Sequence, residues 1–188
     1  MSITLTRYIA LCGHPGSGKS TVQKILSDLY DVRPVDDGLP LRRIAVEQMG
    51  LTWNQVLTQA GKLETVEIAG RAWVVRDLLG QIGNRMEDLL GPHGIPFLCE
   101  QTVAGETGSF SFGSVRRDQG GYYKAKGGAV IGVRSPFAQP SRYEFDRFDE
   151  SLVDVWIDND GVSLEALQRE VCEAMWRLDL MTRTARTA

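Results

Sequence analysis

Apolar residues along this chain fall into two patterns, short unbroken runs and stripes at helical spacing, and the two alternate. Residues 8–12, Tyr8, Ile9, Ala10, Leu11 and Cys12, make one continuous apolar run, as expected of a parallel strand buried on both faces. After a glycine-rich interval, Val22, Ile25, Leu26 and Leu29 recur at i, i+3, i+4 and i+7, which marks one buried face of a helix reaching to about Tyr30. The first strand is expected over 7–12 and a second over 32–35. Leu41, Ile44, Ala45, Gln48 and Met49 then predict a helix from Leu39 that Gly50 stops. Residues 51–70 carry no clean period. A short helix at 53–59 and a mobile connection through Gly61 and Gly70 are expected there.

A longer stripe follows. Val74, Val75, Leu78, Leu79, Ile82, Met86, Leu89 and Leu90 lie on one face of a helix, which Gly91-Pro92 ends. Residues 93–96 read as a turn, 97–103 as a short helix, 105–108 as a loop and 110–115 as a strand. A helix at 117–126 is weakened by Gly120 and Gly121, each by about 1 kcal/mol relative to Ala. Gly127-Gly128 turns into a strand at 129–133, and the last strand is expected at 152–157. Ser163 caps a final helix with Leu164, Leu167, Val171, Ala174, Met175 and Leu178 facing a core, frayed from Thr182. Strands alternating with helices give a parallel sheet with helices on both faces.

Composition adds bounds. At 188 residues with 43% hydrophobic and 24% charged residues, the chain suits one domain with a substantial core. The net charge of −3 offers no general basic field for nucleic acid. Cys12, Cys99 and Cys172 are too few and too scattered for a disulfide framework or a zinc site. No apolar run approaches a membrane span and the N-terminus lacks a signal-peptide pattern. A cytoplasmic setting is expected, the host's if the source is viral, with no membrane partner.

Chemistry enters between the first strand and the first helix. Gly13, His14, Pro15, Gly16, Ser17, Gly18, Lys19 and Ser20, with Thr21 behind, fit the G-x-x-x-x-G-K-[ST] pattern in the strand–loop–helix setting that its mechanism requires. The glycines let backbone N–H groups turn in around an anion, and the helix N-terminus adds unsatisfied donors and partial positive charge. Lys19 would reach the β and γ phosphates of ATP, and Ser20 would place its hydroxyl on Mg²⁺. Asp36 and Asp37 end the second strand, where open α/β sheets place their ligands, and read equally as a solvated turn. Residues 134–150 hold Pro136, Pro140, Arg142, Asp146, Arg147 and Asp149 without a period. They read equally as a surface connection or as a lid over phosphates.

Several segments in order resemble the bacteriophage-type deoxynucleoside monophosphate kinases, a branch of the P-loop nucleoside monophosphate kinases. They are residues 13–21; Leu39-Pro40-Leu41-Arg42, similar to a "pLR/pLK" helix start; and Arg76-Asp77-Leu78-Leu79-Gly80-Gln81-Ile82-Gly83, similar to "RxLLQxlG". Ser114-Val115-Arg116 falls where the family shows D-x-R, Gly127-Gly128-Ala129-Val130-Ile131 follows, and Trp156-Ile157-Asp158-Asn159-Asp160-Gly161 before Leu164 resembles "I-x-N-D-G-s-L". The resemblance implies a three-layer α/β P-loop NTPase fold in a single domain over 1–188. A helical acceptor-binding insertion at about 37–90 and a short lid at about 134–150 belong to it.

By that resemblance ATP sits on the P-loop, Arg42 and Arg76 grip an acceptor phosphate, and the region holding Trp53, Trp73 and Gln81 supplies a base pocket, with Asp36 and Asp37 beside it. Arg116 matches the D-x-R arginine, and Arg134 and Arg142 are lid residues for transition-state charge, alongside Lys19. Forked guanidinium groups suit transferring phosphoryl oxygens. Two positions depart from the pattern: Ser114 replaces the aspartate, for which Asp36, Asp37 or Asp118 would have to substitute, and Gly80 displaces the glutamine to Gln81.

The implied activity is transfer of the γ-phosphate of ATP to a (deoxy)nucleoside monophosphate, with Mg²⁺. The competing readings are a kinase of the same fold acting on a hydroxymethyl-pyrimidine, free or in DNA, with Asp36 or Asp37 as general base, and a non-catalytic nucleotide-binding module. DNA is a partner only in the first of these alternatives. A homodimer is compatible with each reading.

Overall fold

The computed structural model describes residues 5–141 and 144–187. In chain order its first elements are β1 (Tyr8–Cys12), α1 (Lys19–Tyr30), β2 (Val32–Val35), α2 (Leu39–Met49), α3 (Trp53–Leu57), β3 (Thr65–Ile68) and β4 (Arg71–Val74). There follow α4 (Val75–Leu90), α5 (Gly94–Gln101), β5 (Ser109–Phe112), α6 (Gln119–Ala125), β6 (Ala129–Arg134), β7 (Val155–Asp158) and α7 (Leu164–Thr187). Short 3-10 turns occur at Gly61–Leu63, Glu144–Asp146 and Glu150–Leu152. The chain divides into two units, one made of its beginning through Asp36 and its end from Ala104, the other of Asp37–Val103.

The first unit is built on a five-stranded sheet in the order β2-β5-β1-β6-β7, and every neighbouring pair is parallel. Successive side chains of a strand point to opposite faces, and β1 uses both. Ile9 and Leu11 join Ile131, Val133 and Ile157 beneath Val22, Ile25 and Leu26 of α1 and Leu167, Val171 and Met175 of α7 in one core cluster. On the other face Tyr8 meets Phe112 and Tyr123 of α6, and the Phe112 and Tyr123 rings lie 4.4 Å apart. The expected parallel sheet covered by helices on both faces is therefore what forms. Pro34 sits on β2, an edge strand, where its missing N–H costs no ladder bond.

The second unit packs α2, α3, a hairpin and α4 around Ala45, Leu51, Val56, Val75, Leu78 and Ile82. α3 starts on a full capping box, with Thr52 and Gln55 bonding reciprocally.

Several boundaries differ from the sequence reading. The expected mobile connection is a 3-10 turn followed by the antiparallel β3–β4 hairpin, closed by Ala69 and Gly70, both at positive φ (53° and 75°). Two positive-φ residues are the backbone requirement of a tight hairpin turn. β5 ends at Phe112 rather than at residue 115, because Gly113 leaves the ladder and Val115 instead donates to the carbonyl of Leu11. α5 begins at Gly94, three residues before the expected start. β7 begins at Val155, since residues 150–152 form a 3-10 turn capped by the side chain of Asp149. α7 continues to Thr187 instead of fraying at Thr182, whose hydroxyl donates to the carbonyl of Leu178. Among the described residues no helix is long and apolar enough to cross a membrane.

Candidate nucleotide-binding site

The chain leaves β1 at Cys12 and re-enters regular structure at Lys19, and the interval is folded as a tight cradle. Gly13, Gly16 and Gly18 hold φ of 144°, 80° and 102°, values that side chains with a Cβ rarely adopt. Space is as restrictive as conformation. A Cβ on Gly13 would lie 2.3 Å from the carbonyl oxygen of Val133, and one on Gly18 would lie 2.4 Å from the Asn159 amide nitrogen.

Inside the loop the Ser17 N–H donates to the His14 carbonyl at 3.1 Å. The Lys19 ammonium donates to the Gly13 and His14 carbonyls at 2.8 and 2.9 Å. The lysine thus lies folded against the loop that would receive the phosphates. α1 begins at Lys19, and the Ser20 and Thr21 amides of its first turn, which lack an acceptor one turn earlier among the described residues, can serve an anion. Ser20 and Thr21 are exposed in that first turn, and among the described residues the Ser20 hydroxyl has no hydrogen-bond partner. A hydroxyl so placed fits a Mg²⁺ ligand. The Ser17 hydroxyl is fully buried, again without a hydrogen-bond partner among the described residues.

Behind the loop, Cys12 is a buried thiol. Burial pushes its pKa up to about 12, against the opposing pull of the Lys19 ammonium. It is therefore a thiol rather than a thiolate at neutral pH.

Asn159, in the turn after β7, holds the cradle from one side. Its amide donates to the Ser17 carbonyl at 3.0 Å, its carbonyl oxygen accepts from the Gly161 N–H at 3.3 Å, and its own N–H donates to the Arg134 carbonyl at 2.8 Å. Asn159 therefore ties the P-loop to the turn after β7 through its side chain and to the end of β6 through its backbone N–H. Replacing it by Ala removes both side-chain hydrogen bonds, and the one to the P-loop is worth about 0.5–1.5 kcal/mol. Asn159→Ala is expected to raise the KM for ATP by up to about tenfold with little change in kcat. An unchanged KM in steady-state kinetics would mean that the loop is held without it.

Arg134 ends β6 and lays its guanidinium over the Trp156 ring, 3.7 Å from the centroid. The indole in turn lies flat on Gly132, where a Cβ would come within 2.4 Å of the ring. The glycine, the indole and the arginine form a stack in which each makes room for the next. Two small cavities adjoin it. One, of about 230 Å³, is lined by His14, Ser17, Arg134, Phe148, Glu150 and Trp156. The other, of about 300 Å³, is lined by Arg134, Pro136, Asp158, Asn159 and Asp160. The structure thus brings Arg134 beside the P-loop residues.

Arg116 is paired with Asp146 at 3.2 Å, and Asp146 also accepts from the Ser141 hydroxyl at 2.7 Å. Backbone bonds between Arg117 and residues 147 and 149 fasten the same connection. The carboxylate beside Arg116 thus comes from the 134–150 segment, while position 114 carries serine. Arg142 lies outside the described residues.

Asp36 is exposed just past β2 and closes the first segment of the sheet unit, and Asp37 opens the helical unit, its carbonyl accepting from the Cys99 thiol at 3.2 Å. Within the helical unit Arg42 folds back on the start of its own helix, where a Cβ on Gly38 would lie 2.7 Å from the guanidinium carbon. Trp73 and Gln81 line a common cavity of about 600 Å³ with Arg71 and Arg85. Arg76 is not among them. At about 100° per residue, it projects from α4 roughly 140° from Gln81 and 180° from Arg85.

Sequence reasoning did not single out Phe148, Gly132 or Glu150, which carry no motif. Asn159 was visible only as part of the closing turn. Among the described residues no group of three or more His, Cys, Asp or Glu could hold a metal ion by itself.

No protein-family model and no curated protein sequence matches the chain. Solved structures do. A Thermus thermophilus protein designated TT1252 superposes with a TM-score of 0.54 at 17% identity, over 93% of this chain and 99% of that one. The dephospho-CoA kinase from Campylobacter jejuni superposes with a TM-score of 0.52 at 15% identity, over 94% of this chain and 98% of that one. At such identities the likeness establishes the fold, and with the sheet order above it is the three-layer α/β P-loop fold.

Proposed function

We propose that this protein is an ATP-dependent phosphotransferase that moves the γ-phosphate of ATP to a (deoxy)nucleoside monophosphate, giving the diphosphate and ADP. The observation that carries the reading is the formed P-loop cradle, with Lys19 already folded onto its carbonyls. A protein of the same fold that is a dephospho-CoA kinase by name supports transfer to a small acceptor. The choice of acceptor rests on the resemblance of the segments around Arg42, Arg76, Arg116 and Asn159.

In the reaction an oxygen of the acceptor's phosphate forms a bond to the γ-phosphorus as the bridging β,γ P–O bond breaks, and the electron pair leaves on ADP. Little covalent help is needed, so the protein's share is positioning and charge neutralisation. The cradle amides and Lys19 bind the polyphosphate, Arg134 and Arg116 supply guanidinium charge, and Arg42 and Arg76 bind the acceptor's phosphate. When bound at Ser20, Mg²⁺ neutralises charge on the phosphate oxygens.

ADP formation from Mg-ATP against a panel of nucleoside and deoxynucleoside monophosphates tests the reading. Turnover with one or a few of them supports it, and silence with all of them despite ATP binding contradicts it. Arg42→Ala removes a charged hydrogen-bond donor, worth about 1.5–3 kcal/mol, or roughly 10–100-fold. The acceptor KM should rise by that factor while the KM for ATP stays put; an unchanged acceptor KM and rate would remove Arg42 from the site.

A further inference from the structure

Arg116 is held by its backbone and by its side chain, and the two holds come from parts of the chain far apart in sequence. The N–H of the preceding residue, Val115, donates to the Leu11 carbonyl at 3.0 Å, just before β1 runs into the cradle. The Arg116 N–H donates to the Gln119 carboxamide oxygen at 3.1 Å, and the Arg116 carbonyl accepts from the Gln119 N–H at 2.9 Å. Gln119 is buried, so this reciprocal pair fixes where the arginine leaves the backbone.

The side chain is met by Asp146. One carboxylate oxygen takes the guanidinium at 3.2 Å and the other takes the Ser141 hydroxyl at 2.7 Å. The Asp146 side chain is 7% exposed against 37% for the arginine, and a pair with a buried member is screened less than a surface pair. The residues that follow each partner are joined as well. The Arg117 N–H donates to the Arg147 carbonyl at 2.6 Å, and the Asp149 N–H to the Arg117 carbonyl at 2.8 Å. Between them the Phe148 ring lies 5.6 Å from that of His14. Carboxylate and arginine thus share one framework, and it adjoins the P-loop.

An arginine side chain has several rotatable bonds and loses their freedom when it is fixed on a phosphate. One that is oriented beforehand has less to lose. The sequence reading turned to Asp36, Asp37 or Asp118 for the carboxylate absent at position 114. We propose that Asp146 fills that place as a positioning residue: its carboxylate orients the Arg116 guanidinium before the nucleotide arrives. The use of that orientation rests on the kinase reading, in which Arg116 supplies charge to the transferring phosphoryl group; the hold itself does not.

The test uses the full chain in two assays, with folding checked by circular dichroism. In the first, modification of Arg116 by phenylglyoxal, a guanidinium reagent, is followed by mass spectrometry. A nitrogen that donates to a carboxylate is withheld from the reagent, so Asp146→Asn should be modified there at least about threefold faster than the unmodified protein. Arg85, largely exposed on α4, should react equally in both. The asparagine keeps the shape of the aspartate, so this assay stands even where Asp146→Ala does not fold.

The second assay is phosphoryl transfer with the best acceptor of the panel. Asp146→Ala should lower kcat by about 10–100-fold, the scale of a small misplacement, with little change in the KM for ATP. Asp146→Asn, whose amide oxygen still accepts from the guanidinium, should recover part of that loss. Arg116→Ala/Asp146→Ala should be no slower than Arg116→Ala, because Asp146 acts through the arginine; a merely structural role would add the two losses. Equal modification of Arg116 in both proteins, additive losses in the double variant, or an Asp146→Asn protein faster than the unmodified one would each overturn the proposal. Absence of transfer by the unmodified protein, with Arg116 still shielded by Asp146, would instead overturn the kinase reading and with it the use of the orientation.

Discussion

Lys19→Ala is expected to lower ADP formation by about 10²–10³-fold, the loss seen when one preorganised charge-stabilising group is taken from a transition state. The side chain reaches into the cradle and holds the Gly13 and His14 carbonyls, so it stands at the position where γ-phosphate charge would be neutralised. It contributes nothing to the apolar core cluster of the sheet unit. The thermal midpoint should therefore move by no more than about 4 °C. Steady-state kinetics with the best acceptor of the panel, alongside a melting curve, checks both halves. A variant with near-normal turnover would remove the donor assignment.

Gly13→Ala is expected to damage the protein in a different way. The added methyl meets the Val133 carbonyl at 2.3 Å and the Ser17 hydroxyl at 2.9 Å, at a backbone φ of 144° that alanine rarely adopts. Val133 lies in β6, which pairs directly with β1, so neither partner can retreat without opening the ladder. Overpacking and backbone strain together should cost about 2–5 kcal/mol, and the displaced loop should lose ATP affinity as well. Urea unfolding and nucleotide titration read the two effects. Wild-type stability would show that the loop has more slack than the contact distances imply.

The contrast between these substitutions reflects what could be read from the residues alone. Gly13, Gly18, Lys19 and Ser20 at fixed spacing between an apolar run and an apolar stripe define a local structure, because each residue acts on its own neighbours. The centre of the parallel sheet was legible for a similar reason: β1 and β6 are short, buried apolar runs, whereas β2 and β5 carry Arg33, Pro34, Ser109 and Ser111.

What depended on register or on angle around a helix was not legible. Gly132 lies under Trp156 only because β6 and β7 pair in that register. Asp146 meets Arg116 across thirty residues of chain with no periodicity to announce it. The β3–β4 hairpin turns on Ala69-Gly70, a pair without the asparagine or aspartate that usually signals such a turn. Trp73, Gln81 and Arg76 are close in sequence, yet the helical screw sends Arg76 away from the cavity the other two share.

The central claim, transfer of a phosphoryl group from ATP, is tested most directly by following the label from ATP radiolabelled in its γ-phosphate, with Mg²⁺ and each (deoxy)nucleoside monophosphate in turn. The account predicts label in the nucleoside diphosphate of one or a few acceptors, formed at least about a hundredfold more slowly with Lys19→Ala. Label that remains in ATP with every acceptor, or that appears only as free phosphate, would contradict it.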